Sequence, residues 1–174
     1  MYIALQNLPH CNEAGPAADW RVGDDRMMDS HGYYLEDMSV GMTAAYSRTV
    51  TEADVVLFAG VSGDVNPLHL DHEFAKATMF RGRIAHGLLT ASFISTALGN
   101  KLPGPGCVYV SQNLKFKAPV RVGDTVRAQV TVTHVDVERC RVKVGTVCRV
   151  GDIVVIDGDA ELLVLRRPAL QAVD

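Results

Sequence analysis

Residues 86 to 98 read HGLLTASFISTAL, and the rhythm of the chain changes after them. The spacing predicts a helix from about His86 to Leu98. Small residues fall at Gly87, Ala91, Ser95 and Gly99, each four apart, which places them in one stripe along one face. Leu88, Leu89, Phe93 and Leu98 add bulk on the flanks, and a helix apolar nearly all round is a buried one. A packed sheet is the expected neighbour for most of the stripe; a substrate is the other candidate. Beyond the helix the period drops to two. Val108, Val110, Gln112, Leu114 and Phe116 alternate with Tyr109, Ser111, Asn113, Lys115 and Lys117. Val126, Ala128, Val130 and Val132 alternate with Arg127, Gln129, Thr131 and Thr133, and Val142 to Val150 continues the pattern. Turns are expected at Val122-Gly123-Asp124 and Val150-Gly151-Asp152, with strands at Ile153 to Ile156 and Asp159 to Leu165. One buried helix followed by four or five antiparallel strands packs most economically as a sheet wrapped round that helix, an α+β arrangement.

Upstream, Thr43 to Val50 suits a short strand. Thr51-Glu52-Ala53-Asp54 has the form of a helix start, a Thr cap with an acid three residues on. The apolar run Val55 to Ala59 suits a short buried helix stopped by Gly60. Ser62 to Asp71 (SGDVNPLHLD) is dense in turn formers and is expected to be a loop with fixed backbone positions. Asp71 can cap a further short helix through Phe74 and Ala77. Residues 1–30, with Pro9, Gly15, Pro16 and Trp20, lack periodicity and are expected to form a mobile or loosely docked extension; residues 31–168 form the domain and 169–174 a tail.

The chain has 174 residues, of which 48% are hydrophobic and 21% charged, enough for one domain with a core. Lys plus Arg is 17 and Asp plus Glu is 20, so nothing suggests a nucleic-acid partner. The most apolar stretch, Ile84 to Leu98, is interrupted by His86, Thr90, Ser92, Ser95 and Thr96, so no membrane span is expected. The four cysteines, Cys11, Cys107, Cys140 and Cys148, show no C-x-x-C pair and are expected to be reduced thiols in a cytoplasmic protein.

Two polar clusters could carry chemistry. In Ser62 to His69, Asp64 and His69 lie five apart across a Pro-containing bend. A carboxylate and an imidazole on one stiff loop can both address a single water, and their reference pKa values of about 3.9 and about 6.5 keep them in distinct protonation states. The plainer reading, in which Asp64 caps the turn and His69 fills a polar gap, stands beside it. In Arg81 to Leu89, Gly87 falls at the predicted helix start, where free N–H groups and a partial positive charge can hold a developing oxyanion. Gly87 is equally accounted for by a tight approach to the sheet. His86 reads as a structural histidine or a catalytic partner, and Arg81 and Arg83 as phosphate contacts or solvated charges. There is no H-E-x-x-H, no Gly-rich phosphate loop and no G-x-S-x-G elbow.

Phe58 to Leu70 (FAGVSGDVNPLHL) and Phe80 to Ser95 (FRGRIAHGLLTASFIS), followed by Tyr109 to Gly123, resemble the MaoC-like hydratase family, and within it the (R)-specific enoyl-CoA hydratases. The resemblance runs from about Tyr33 to Arg166. It implies a hotdog fold, in which a long central helix is wrapped by a curved antiparallel β-sheet. It implies that Asp64 and His69 are the catalytic pair that adds water to a trans-2-enoyl-CoA, giving a (3R)-3-hydroxyacyl-CoA reversibly. Gly87 is the expected oxyanion donor, and Ser95, Asn66 and His86 are expected substrate-site residues. Coenzyme A enters as part of the substrate, and the chemistry requires no metal or other cofactor. Acyl-CoA is the expected partner, and a homodimer or dimer of dimers the expected assembly. The alternatives on the same fold are a branched or dicarboxylic acyl-CoA, an acyl-carrier-protein thioester, and thioester hydrolysis, against which D-x-N-P-x-H speaks. A non-catalytic acyl-CoA-binding module is a third class.

Overall fold

The protein's structure, a computed structural model, describes residues 31–167. The expectations for the extension 1–30 and the tail 169–174 lie outside these residues.

Strand β1 (Thr43–Thr49) leads into helix α1 (Glu52–Ser62). Two short helices follow, α2 (Pro67–Leu70) and α3 (His72–Lys76), and then the long helix α4 (Gly87–Asn100). Four strands close the chain: β2 (Val108–Phe116), β3 (Thr125–Asp136), β4 (Arg141–Val150) and β5 (Ile153–Leu163). Together with β1 they form a single five-stranded sheet in the order β1-β3-β4-β5-β2, antiparallel throughout. Pairing slips between Tyr109 and Ser111, Val132 and His134, and Cys148 and Arg149. Such bulges bend a strand and raise its twist, which lets the sheet curve round α4.

The core lies between that curved face and α4, which packs on β1, β3 and β4. On β3, Val126, Ala128, Val130 and Val132 are buried while Arg127 and Gln129 are exposed, so the two-residue period reports one covered face. From the helix, Leu89, Phe93, Ile94, Ala97 and Leu98 fill the layer. Fully burying a side chain of this kind contributes roughly 1.5–3 kcal/mol.

Five sequence expectations change. Most of the small stripe is not covered by the sheet: Ser95 is exposed, Ala91 is half-buried at the edge of the core, and a Cβ on half-buried Gly99 would have nothing within 4 Å. Only Gly87 is closely approached. Gly60 does not stop α1, which runs two residues further and ends at Gly63 with φ 75, the left-handed conformation that favours glycine at a helix end. Nor is α1 buried all round, since Val56, Leu57 and Val61 are exposed. The two last strands are one, because Gly158 does not turn the chain. A Cβ there would come within 2.0 Å of the Asn113 carbonyl oxygen, so glycine permits β2 to lie close to β5. Cys107 and Cys148 are free thiols, but Cys140 is disulfide-bonded, a pairing that spacing alone does not reveal.

Candidate active site

The loop after α1 is built from successive side-chain bonds to its own backbone. The Ser62 hydroxyl donates to the Phe58 carbonyl at 2.6 Å and accepts the Asp64 N–H at 3.2 Å. Asp64 Oδ1 accepts the Asn66 N–H at 3.2 Å, and Asn66 Oδ1 accepts the Leu68 N–H at 3.0 Å. Asn66 thereby caps α2, with Pro67 in the first helical position, where its missing N–H costs nothing. The single turn of α2 carries His69, whose N–H donates back to the Asn66 carbonyl at 2.9 Å. The loop thus fixes one oxygen of Asp64 and leaves Oδ2 facing His69, 4.0 Å from Nε2.

His69 is buried and the Asp64 side chain is half-exposed. His69 Nδ1 lies 2.8 Å from the Ile84 carbonyl oxygen. A carbonyl only accepts, so Nδ1 carries the proton and Nε2 of the neutral ring is a lone pair. Leu68 and Ile84 are tied in turn, the Ile84 N–H donating to the Leu68 carbonyl at 3.2 Å. Arg83 braces this segment through a fork to Glu52, at 2.7 and 2.8 Å. A separation of 4.0 Å is too wide for a direct hydrogen bond and suits two acceptors sharing one water.

His69 and Gly87 line the same cleft, about 330 Å³ in volume, with Phe80, Thr90, Phe116 and Ile156 among its walls. Gly87 opens α4. Its N–H has no intrahelical acceptor by geometry, and the His86 side chain does not cap the helix. A Cβ on Gly87 would meet Phe116 Cε1 at 2.8 Å, so this position is closely approached by a side chain of β2.

The other predicted residues are distributed around this centre. Asn66 shapes the loop. His86 lies behind the pair, 1% exposed, with its ring centroid 3.8 Å from that of His69. Ser95 is two turns along α4, exposed and outside the cleft walls. Asp64, His69 and His86 bring possible metal-ligand atoms within 4.8 Å of one another. His86 Nε2 faces the Asp64 main-chain oxygen at 2.9 Å and donates to it. Sequence reasoning missed Ile84, which acts through its carbonyl, and Phe116. The alternation of β2 sets Phe116 in register with Leu114, but its ring is exposed at the cleft rather than covered.

A helix cradled by a curved antiparallel sheet is a hotdog fold, here with a carboxylate and an imidazole set close together near the start of that helix. The chain belongs to the MaoC-like family: the sequence profile of the MaoC like domain matches residues 38–152. An (R)-specific enoyl-CoA hydratase of Rhodospirillum rubrum is 51% identical over 135 residues, 78% of this chain and 94% of that protein. A 3-hydroxybutyryl-CoA dehydratase of Methylorubrum extorquens is 51% identical over 127 residues, 73% of this chain and 81% of that protein. Among solved structures, the (R)-hydratase of A. caviae involved in PHA biosynthesis superposes with a TM-score of 0.71 at 40% identity, over 76% of this chain and 99% of that one.

Proposed function

We propose that this protein is a hydro-lyase that adds water to a trans-2-enoyl-CoA to give a (3R)-3-hydroxyacyl-CoA, and runs the reverse dehydration at the same site. The observation that carries the chemistry is the 4.0 Å gap between Asp64 Oδ2 and His69 Nε2 beside the cleft. A water in that gap meets two acceptors, so both of its O–H bonds are engaged and an oxygen lone pair is left for C3. As the C3–O bond forms, the pair takes one proton from the water and returns one to C2 on the same face. Water is consumed as OH to C3 and H to C2, and the pair ends as it began. Positioned acid–base groups of this kind typically contribute about 10²–10⁴-fold. Charge passing onto the thioester oxygen is met by the Gly87 N–H at the positive end of α4; one such donor is typically worth about 2.7–4 kcal/mol.

The relatives' names support the substrate class and the (R) outcome. A cytoplasmic homodimer or dimer of dimers belongs to the same reading. Strand β2 pairs only with β5 among the described residues, leaving one edge for a second copy. Asp64→Asn and His69→Ala are the test, with hydration of crotonyl-CoA followed by loss of the conjugated thioester absorbance and chiral analysis of the product. Each variant should stay folded and lose at least about 100-fold in kcat. Turnover undiminished in either folded variant would overturn the mechanism.

A further inference from the structure

His86 stands next to the pair without touching the cleft, and its contacts are specific. The ring is 1% exposed. Its Nε2–H donates to the main-chain carbonyl of Asp64 at 2.9 Å. With that proton on Nε2, Nδ1 of the neutral ring is a bare lone pair; it is buried and has no hydrogen-bond partner among the described residues. One ring neighbour is His69 at 3.8 Å between centroids, and another is Phe58 at 5.0 Å. His86 is also the residue that precedes α4, and its side chain does not cap that helix. A buried imidazole with one nitrogen unpaired and no capping duty is costly to keep for packing alone.

The geometry points to His86 as a positioning residue: it holds the Asp64 backbone from behind so that Oδ2 and His69 Nε2 stay a water's width apart. The loop's own bonds fix Asp64 Oδ1 and the residues after it. The Asp64 carbonyl is tied to α4 by His86 alone among the bonds described. Because the same residue leads directly into Gly87, one side chain sets the spacing between the acid–base pair and the oxyanion donor. The inference rests on the hydratase reading for its kinetic test. It does not rest on it for its structural one.

The experiment compares His86→Leu, His86→Asn and His86→Gln with the parent enzyme on crotonyl-CoA. Gln can place an N–H near the position of Nε2, and the shorter Asn cannot. Misplacement of catalytic groups by about 1 Å can cost about 100-fold. His86→Leu should therefore lose about that factor in kcat, with KM within about threefold of the parent. His86→Gln should exceed His86→Asn by at least about tenfold in kcat, a comparison that stands even if the Leu variant does not fold. A folded His86→Leu within about threefold of parental kcat, or Gln no better than Asn, overturns the inference while parental turnover keeps the hydratase reading. If the parent itself does not hydrate any enoyl-CoA, that reading fails alone. The ring nitrogen signals of ¹⁵N-histidine-labelled parent then decide for His86: an Nε2–H tautomer supports it, and an Nδ1–H tautomer overturns it.

Discussion

A methyl group on Gly87 would have to displace the ring of Phe116, whose Cε1 and Cδ1 lie 2.8 and 3.0 Å from the place it would take. Phe116 is 55% exposed, so the ring can swing rather than break the fold. It would then crowd the cleft it lines. Gly87→Ala should keep its thermal midpoint within a few degrees, since the ring has room to move, yet lose crotonyl-CoA turnover. Adding Phe116→Ala should restore part of it; no recovery in the double variant would show that the ring is not the obstacle. A second residue-scale expectation concerns Cys148. Burial pushes its thiol up to about 12, and burial also raises Cys107. Only the thiolate is nucleophilic. Cys148 should resist alkylation at pH 8 in the folded enzyme and react once denatured, as mass spectrometry of the labelled peptide would record. At this scale the sequence was informative about Asp64 and His69, because a Pro-stiffened bend brings near neighbours together. It was uninformative about the partner of His86. That partner is a main-chain oxygen 22 residues away, and main-chain groups carry no residue-type signal.

Helix α1 shows what a start signal is worth. Thr51 Oγ1 accepts the Asp54 N–H at 3.2 Å, and the Asp54 carboxylate accepts the Thr51 N–H at 2.9 Å, a reciprocal cap. Burial pushes the Asp54 carboxyl up, but the bonds from Thr51 and Arg48 outweigh it and hold it below the usual range. Thr51→Ala should cost about 1 kcal/mol in urea denaturation, through loss of the cap. An unchanged midpoint would mean the α1 end is held by packing instead. In β5, Gly158→Ala would set a Cβ against the Asn113 carbonyl oxygen, a backbone atom that cannot yield. The expected cost is about 1–3 kcal/mol, read as a lowered thermal midpoint. The strands were legible because one face is covered and the other is not. The boundary between Ile156 and Asp159 was not legible, since a glycine chosen for close approach has the same letter as a glycine chosen to turn. The outward stripe of α4 misled for a related reason: small residues mark a possible approach without saying from which side.

Across the whole molecule, the two ends of the described chain are fastened together. The Leu35 N–H donates to the Leu165 carbonyl, and Arg167 forks onto Asp37 at 2.7 and 2.8 Å. The Arg167 backbone N–H, with Arg166 and the Arg167 side-chain charge nearby, holds the Glu36 carboxyl below its usual range. A depressed carboxylate stabilises the folded state above its unfolded pKa, and that contribution is lost as pH falls through the folded value. Glu36→Gln should therefore narrow the gap between melting temperatures at pH 7 and pH 4, because the carboxyl whose ionised form the Arg167 N–H favours is no longer there to titrate. An unchanged gap would show that the clasp is not linked to acid sensitivity. Light scattering in solution should return at least twice the chain mass, as the free edge of β2 leads one to expect; a monomer would remove the assembly from the proposal.

The carboxylate, the imidazole and the amide at the helix start all lie between Asp64 and Gly87, whereas β2, β5 and the segment between β2 and β3 supply much of the cleft wall. Reactivity and shape therefore overlap only in part, since Met79, Phe80, Ile84 and Ala85 line the cleft from the same stretch as the pair while the rest of the wall comes from later in the chain. Variation that swaps wall residues can change which acyl chains are accepted while the proton-handling stretch stays untouched. Libraries confined to residues 116–120 and Ile156 are accordingly the place to look for altered selectivity with intact chemistry.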